Sequence, residues 1–223
     1  MVARLDRKPE VRRHAVATGS WPRSVKLALL RHGPTLWNAQ GRIQGHTDIP
    51  LSDEGIAKMR GLLPPPPFDE ARVFVSTSRR ARQTAEALGL TDATWDARLM
   101  EQNWGDWEGL SRAAILARDG EDAFLRAGSE RGDAFRPPGG ESTAELHARV
   151  ASFLRDVARV ERDAIAVAHL GVLRAAYTLA TGWDMATPMP PDLDVSKVLI
   201  LSLTRDGMPD LHALNVDLIP RMA

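Results

Sequence analysis

Hydrophobic positions along the chain fall in short runs, and the runs alternate between two spacings. Lys26-Leu27-Ala28-Leu29-Leu30 and Ala164-Ile165-Ala166-Val167-Ala168 are continuous apolar blocks of strand length, and Arg72-Val73-Phe74-Val75 is β-branched and aromatic. Blocks of this kind are strands buried on both faces. Between them the spacing turns helical. Glu141–Val160 is the clearest case, with Leu146, Val150, Phe153, Leu154 and Val157 recurring on one face. Ser52 caps a predicted helix over Asp53–Leu62, with Ile56, Met59 and Leu63 on one side. Further helices are predicted over Arg79–Leu88, from Ser111 through Ala114, Ile115 and Leu116, and over Val172–Ala180. Lys197–Leu201 and Leu211–Val216 flank Arg205-Asp206-Gly207 and read as a hairpin. Strands alternating with helices predict an α/β layered fold around a mainly parallel sheet.

Composition narrows the function. The 223 residues carry 29 Lys plus Arg against 29 Asp plus Glu, a formal net charge of zero. A general nucleic-acid binder carries a basic excess, so no nucleic-acid partner is expected. The longest aliphatic runs fall far short of the ~20 residues that span a bilayer, so no membrane partner is expected either. There is no cysteine. That excludes disulfides, thiol catalysis and Cys-ligated metal sites, and it fits a reducing, cytoplasmic location. Residues 1–24 hold Arg4, Arg7, Lys8, Arg12, Arg13 and Arg23 against Asp6 and Glu10, with no apolar core. They read as a solvated basic extension rather than a signal peptide, ahead of one domain over 25–223. Pro64–Pro67 reads as a stiff loop.

In parallel sheets the chemistry gathers at the carboxyl ends of the strands. Here those ends carry Arg31-His32-Gly33, then Ser76-Thr77-Ser78-Arg79-Arg80, then His169. A lone buried histidine is usually a satisfied core residue. Two histidines and two arginines delivered to one sheet edge are a different matter.

These residues also carry a resemblance. Leu30-Arg31-His32-Gly33-Pro34-Thr35-Leu36-Trp37-Asn38 resembles the signature of the histidine phosphatase superfamily, the phosphoglycerate mutase-like proteins. The resemblance continues through Gly41–Gly45, Asp48–Gly55 and Arg80–Ala85, then Glu101 with Gly105–Gly109, Pro138–Ser142, and His169 with Arg174. It implies a three-layer α/β/α sandwich and a small phosphorylated metabolite as substrate, handled by a monomer or homodimer. It implies a catalytic set of His32, Arg31, Arg80, Glu101 and His169, with Asn38 beside the phosphate. Gln44, Gly45, Leu170 and Trp104 are expected at the substrate, with Arg112 also on the substrate side.

The residue types suit that chemistry. A phosphomonoester dianion needs fixed planar donors, which Arg31 and Arg80 supply. His32, kept neutral by its arginines, is the expected nucleophile of a phosphohistidine mechanism. Glu101 is the expected proton donor to the leaving alkoxide, which requires a raised pKa. Glu108, close by, is read as structural. His14, His46, His147 and His212 receive no role, and no His/Asp/Glu cluster has metal-ligand spacing, so no metal or other cofactor is expected.

The sequence departs from the family pattern in places. Leu170 stands where relatives usually have Gly, which makes a left-handed backbone there costly. Thr77 and Ser78 replace a common Pro and Leu. Pro34 replaces the Glu of the mutases, and the segment after Arg112 is short and has no adjacent arginine pair. These departures favour a phosphatase over a phosphoglycerate mutase. A catalytically silent phosphate-binding module on the same fold is the third reading.

Overall fold

The computed structural model of the protein describes residues 24–68 and 70–222. The basic extension up to Arg23, and His14 with it, lies outside the described residues. In chain order the elements are β1 (Val25–Arg31), α1 (Leu36–Ala39), α2 (Asp53–Arg60), β2 (Leu62–Leu63), β3 (Arg72–Ser76), α3 (Arg79–Leu88) and β4 (Thr94–Asp96). They continue with α4 (Arg112–Asp119), α5 (Ala123–Arg126), α6 (Thr143–Ala158), β5 (Ala164–Ala168), α7 (Leu170–Thr181), β6 (Val198–Leu203), β7 (Pro209–Val216) and β8 (Ile219–Pro220).

Six strands form the central sheet in the order β4-β3-β5-β1-β6-β7. β5 pairs in parallel with β1 and with β3, and β3 with β4, while β6 is antiparallel to both its neighbours. The continuous apolar runs are explained by burial on two faces. Leu27 and Leu29 of β1 pack with Leu146, Val150, Phe153 and Leu154 of α6 and with Val172 and Leu173 of α7. Ala28 and Leu30 face the other way, toward Leu88 of α3. Burying one such Leu or Phe side chain contributes about 1.5–3 kcal/mol. Helices therefore cover both faces, and the layered α/β expectation holds. Among the described residues no helix is long and apolar enough to cross a membrane.

The register places the site. Arg31 is level with Ala168 across the β1–β5 pair, and Val75 with Val167 across β3–β5. Three neighbouring strands thus end side by side, with His32, Ser76 and His169 at or just beyond their last residues. The backbone N–H of His32 extends the ladder by donating to the Ala168 carbonyl at 2.9 Å.

Several boundaries differ from the sequence reading. The helix over Asp53–Leu62 stops at Arg60, capped by Gly61, and Leu62–Leu63 instead pairs with Ile219–Pro220 as a small ribbon. Leu63 is therefore not on the helix face; the prolines that follow disfavour continued helix there. The helix over Glu141–Val160 begins at Thr143, because the Ser142 hydroxyl accepts from the Glu145 N–H and Glu145 reaches back to the Ser142 N–H, a capping box. α7 begins two residues earlier than Val172, directly behind His169.

Candidate active site

His32 follows the last residue of β1 and is 7% exposed. Its Nδ1 lies 2.7 Å from the Gly33 carbonyl. A carbonyl only accepts, so Nδ1 carries the proton and Nε2 keeps its lone pair. Burial first, then the charge on Arg80 and that on Arg31, hold the pKa of His32 down at about 3, against the pull of the Gly33 bond. The ring is neutral at pH 7. The loop behind it is fixed from α3, whose Thr84 hydroxyl accepts from the Gly33 N–H at 2.9 Å.

His169 is fully buried, its ring centroid 5.1 Å from that of His32. Its Nε2 meets the hydroxyls of Ser76 at 2.8 Å and Ser78 at 3.1 Å. Burial, His32 and Arg80 hold its pKa well below the ordinary histidine value. Ser78 occupies the cap position of α3 but makes no side-chain cap bond; its hydroxyl turns to His169 instead.

Arg80, in the first turn of α3, is fully buried. Nη2 donates to the Gly45 carbonyl at 2.8 Å and Nη1 to the Thr47 carbonyl at 3.1 Å. Those bonds aim the guanidinium without neutralising it. Nε of Arg80, Nε of Arg31 and Nδ1 of His169 are buried and have no hydrogen-bond partner among the described residues. Buried polar groups call for a partner, and an oxyanion beside His32 supplies acceptors.

Glu101 is buried as well. Its Oε1 accepts from the N–H of Gln102 at 2.8 Å and of Gly171 at 2.9 Å. Burial pushes its pKa up, against those bonds and the charges of Arg80 and Arg31. A carboxyl group raised in this way can hold a proton and give it up.

Arg31, His32, Asn38, Gln44, Glu101, Trp104 and Leu170 line one cavity of about 190 Å³. A second, larger hollow of about 550 Å³ shares Arg31, His32 and Asn38 and runs out past Lys58 and Lys197. Asn38 serves two tasks: its Oδ1 accepts from Thr35 to cap α1, and the residue sits where the two hollows meet. Arg80, His169 and Gly45 are buried and add no exposed surface to either hollow. The last holds Arg80 through its carbonyl, and it is glycine because a Cβ there would stand 1.9 Å from Glu108 Oε1.

A model of the histidine phosphatase superfamily (branch 1) matches residues 27–217. The chain belongs to this superfamily. It is 33% identical to an acid phosphatase of Mycobacterium tuberculosis over 206 residues, 84% of this chain and 97% of that enzyme. It is equally 33% identical to a 2,3-bisphosphoglycerate-dependent phosphoglycerate mutase of Methylobacterium radiotolerans, over 86% of this chain and 90% of the relative. A mycobacterial glucosyl-3-phosphoglycerate phosphatase solved with VO3 superposes with a TM-score of 0.70 at 28% identity, covering 87% of this chain and all of that one.

In this member of the superfamily, the departure at Leu170 has a local explanation. Leu170 is the first residue of α7, and it is not among the residues with positive φ. Its side chain therefore brings no backbone strain. Gly171 is the residue that must be small, since a Cβ would stand 2.2 Å from Glu101 Oε1. Arg112 does not line the cavity; its guanidinium stacks on Phe124 at 4.0 Å.

Glu108, read from the sequence as structural, His46, given no role there, and Arg149, not singled out, support the site. Glu108 ties down the loop that holds Arg80: Oε1 accepts from the N–H of His46 at 2.7 Å and Oε2 from that of Thr47 at 2.7 Å. His46 Nε2 contacts the Glu101 carbonyl at 3.0 Å. Arg149 of α6 pairs with Glu141 at 2.6 Å and donates to the carbonyls of Arg98, Met100 and Glu101 at 2.6, 2.7 and 3.0 Å. One guanidinium therefore clamps the backbone that carries Glu101. Among the described residues no group of three or more His, Asp or Glu is placed to hold a metal ion.

Proposed function

We propose that the protein is a phosphomonoesterase that works through a phosphohistidine on His32. The observation that carries this reading is the Nδ1 bond to the Gly33 carbonyl, which leaves Nε2 unprotonated on a neutral, buried ring. In the first step Nε2 attacks phosphorus as the ester P–O bond breaks, and the leaving alkoxide takes the proton of Glu101. In the second, water attacks phosphorus, the N–P bond breaks, and the water's proton returns to Glu101. Arg31, Arg80, His169 and Asn38 hold the equatorial oxygens, where charge is spread in the transition state. Charge neutralisation is thus assigned to side chains of this chain, and turnover is expected to be insensitive to chelators.

Water rather than a second phosphoglycerate is assigned as acceptor. Pro34 gives the site no carboxyl group at the position where mutases carry Glu, and Arg112 is stacked on Phe124 away from the cavity. The likeness to the mycobacterial acid phosphatase over nearly its full length supports the same reading. The equal identity to a phosphoglycerate mutase keeps isomerase activity as the second reading, and a coupled assay with 3-phosphoglycerate and 2,3-bisphosphoglycerate tests it. The enzyme is placed in the cytoplasm, as a monomer or homodimer acting on a small phosphorylated metabolite and not on nucleic acid.

The direct test is to trap the intermediate. Rapid acid-free quenching of the enzyme turning over a phosphomonoester is expected to leave one phosphoryl group on His32, stable to alkali and lost in acid. His32→Ala is expected to abolish both the adduct and phosphate release. A folded His32→Ala protein that still releases phosphate at the wild-type rate removes the reading.

A further inference from the structure

Thr35, Ser52, Ser111 and Ser142 stand at the N-caps of α1, α2, α4 and α6, and each side chain accepts from a backbone N–H of the first turn. That is the ordinary work of a hydroxyl at this position. Ser78 stands in the same place on α3, with the same extended backbone, and its hydroxyl makes no cap bond. The cap comes from elsewhere. The carboxylate of Asp48 accepts from the Arg79 N–H at 2.6 Å, and negative charge suits a helix N-terminus. Ser78 is thereby free to turn inward, where it is buried.

Among the described residues the Ser78 hydroxyl has two neighbours, Nε2 of His169 at 3.1 Å and Oγ of Ser76 at 3.4 Å. Ser76 Oγ lies 2.8 Å from the same Nε2 and accepts from the Ser78 N–H at 3.4 Å. Ser76, Ser78 and His169 are all buried, so each proton in this group needs an acceptor within it. Each hydroxyl carries one proton. If Nε2 carried one as well, the protons would outnumber the oxygens, and one would stay buried without an acceptor. If Nε2 keeps its lone pair, Ser78 donates to Ser76, Ser76 donates to Nε2, and no proton is left over. Such a chain reinforces itself, because each donor polarises the next. The ring is held neutral by burial and by His32 and Arg80. A neutral imidazole has one proton, which must then sit on Nδ1. That nitrogen is buried with no partner among the described residues.

We propose that Ser78, together with Ser76, is a positioning residue that acts through His169. The pair holds the imidazole proton on Nδ1 and keeps it ready to be donated to an oxyanion beside His32. The inference takes that oxyanion from the phosphatase reading above, and rests on it to that extent. Ser78 is the distinctive member of the pair. It stands where relatives commonly have Leu, which has no proton to give.

The tautomer can be read directly. In phosphate-free enzyme at pH 7, the ring 15N shifts of His169, assigned by their loss in His169→Gln, are expected to show Nδ1 protonated and Nε2 bare. A proton on Nε2 in the wild type overturns the proposal, whether or not the variants fold. Ser78→Ala leaves the Asp48 cap of α3 in place, so its unfolding midpoint is expected to stay close to that of the wild type. Its affinity for inorganic phosphate, measured by calorimetry, is expected to fall by about 2- to 10-fold, the loss of one neutral hydrogen bond. Replacing both serines with Ala leaves Nε2 without a hydroxyl. Mixed or reversed tautomers are expected, with phosphate binding weaker by about 10- to 100-fold, as for a lost bond to a charged group. A folded double variant that binds phosphate as tightly as the wild type overturns the proposal. So does weaker binding with the tautomer unchanged, which would make the serines a matter of pocket shape alone. None of these measurements needs turnover. A wild type that shows the Nδ1 proton and binds phosphate, yet hydrolyses no phosphomonoester, removes the phosphatase reading and leaves this inference standing.

Discussion

His32 and His169 carry the same ring, and their neighbours set them to different work. A backbone carbonyl 2.7 Å from Nδ1 fixes one tautomer of His32, whereas His169 meets two hydroxyls that can donate or accept. The identity of these residues was legible because each stands in a short local motif at a strand end. What positions Glu101 was not legible, because its supports come from afar. Arg149 lies 48 residues from Glu101 and Gly171 lies 70 away, and both act on atoms that no sequence pattern advertises. The role of Arg149 can be tested through the leaving group. Arg149→Lys cannot hold three carbonyls and a carboxylate at once, so Glu101 is expected to lose its aim. Hydrolysis of alkyl phosphates, which need a proton on the leaving oxygen, is expected to fall by about 10- to 100-fold, within the range attributed to general acid catalysis. Hydrolysis of p-nitrophenyl phosphate, whose phenolate departs without one, is expected to fall much less. Equal losses on both would mean that Arg149 supports only the fold.

At the scale of elements, long periodic segments were readable and short ones were not. The helix with Leu146, Val150, Phe153 and Val157 on one face spans 16 residues, enough to show its period. α1 and α5 have four residues each and β4 has three, too few to show any period. The start of α7 also escaped the sequence reading, although it matters most for the chemistry. His169 caps it with an extended backbone, and its first turn presents the Gly171 N–H to Glu101 at 2.9 Å. A helix N-terminus is a favourable place for a carboxylate, which tempers the rise that burial imposes on the pKa of Glu101. The absence of a side chain at Gly171 lets the carboxylate come this close. Gly171→Ala is helix-compatible and removes no hydrogen-bonding group, yet its Cβ would stand 2.2 Å from Oε1. Glu101 must then move. The expected result is a folded enzyme with KM nearly unchanged and kcat for alkyl phosphates reduced by about 10- to 100-fold. A raised KM with wild-type kcat would instead place Gly171 in substrate binding.

At the scale of the whole molecule, a formal net charge of zero conceals a local imbalance. Arg31, Arg80 and Arg174 converge on a region where two histidines are held neutral, and the acid facing them has its pKa raised by burial. Such a site costs stability in acid, and the sign follows from proton uptake. Unfolded His32 takes up a proton as pH falls through the ordinary histidine value of 6.5, whereas folded His32 refuses it until about pH 3. Over that window the unfolded chain binds more protons, so stability declines as pH is lowered and levels off below it. For His32 alone the full window amounts to about 5 kcal/mol, a large share of the ~5–15 kcal/mol that holds a typical domain folded. His169 adds a loss of the same sign. Glu101 opposes them: with its folded pKa raised, its contribution is complete below the ordinary carboxylate value and is lost as pH rises through the folded one. The prediction is a urea-unfolding free energy that falls steadily between pH 6.5 and pH 4 for the wild type. His32→Gln, which cannot titrate, is expected to lose about 1.4 kcal/mol less per pH unit over the same range. Parallel pH slopes for the two proteins would mean that His32 titrates normally in the folded state, and the neutral nucleophile at the centre of the mechanism would have to be abandoned.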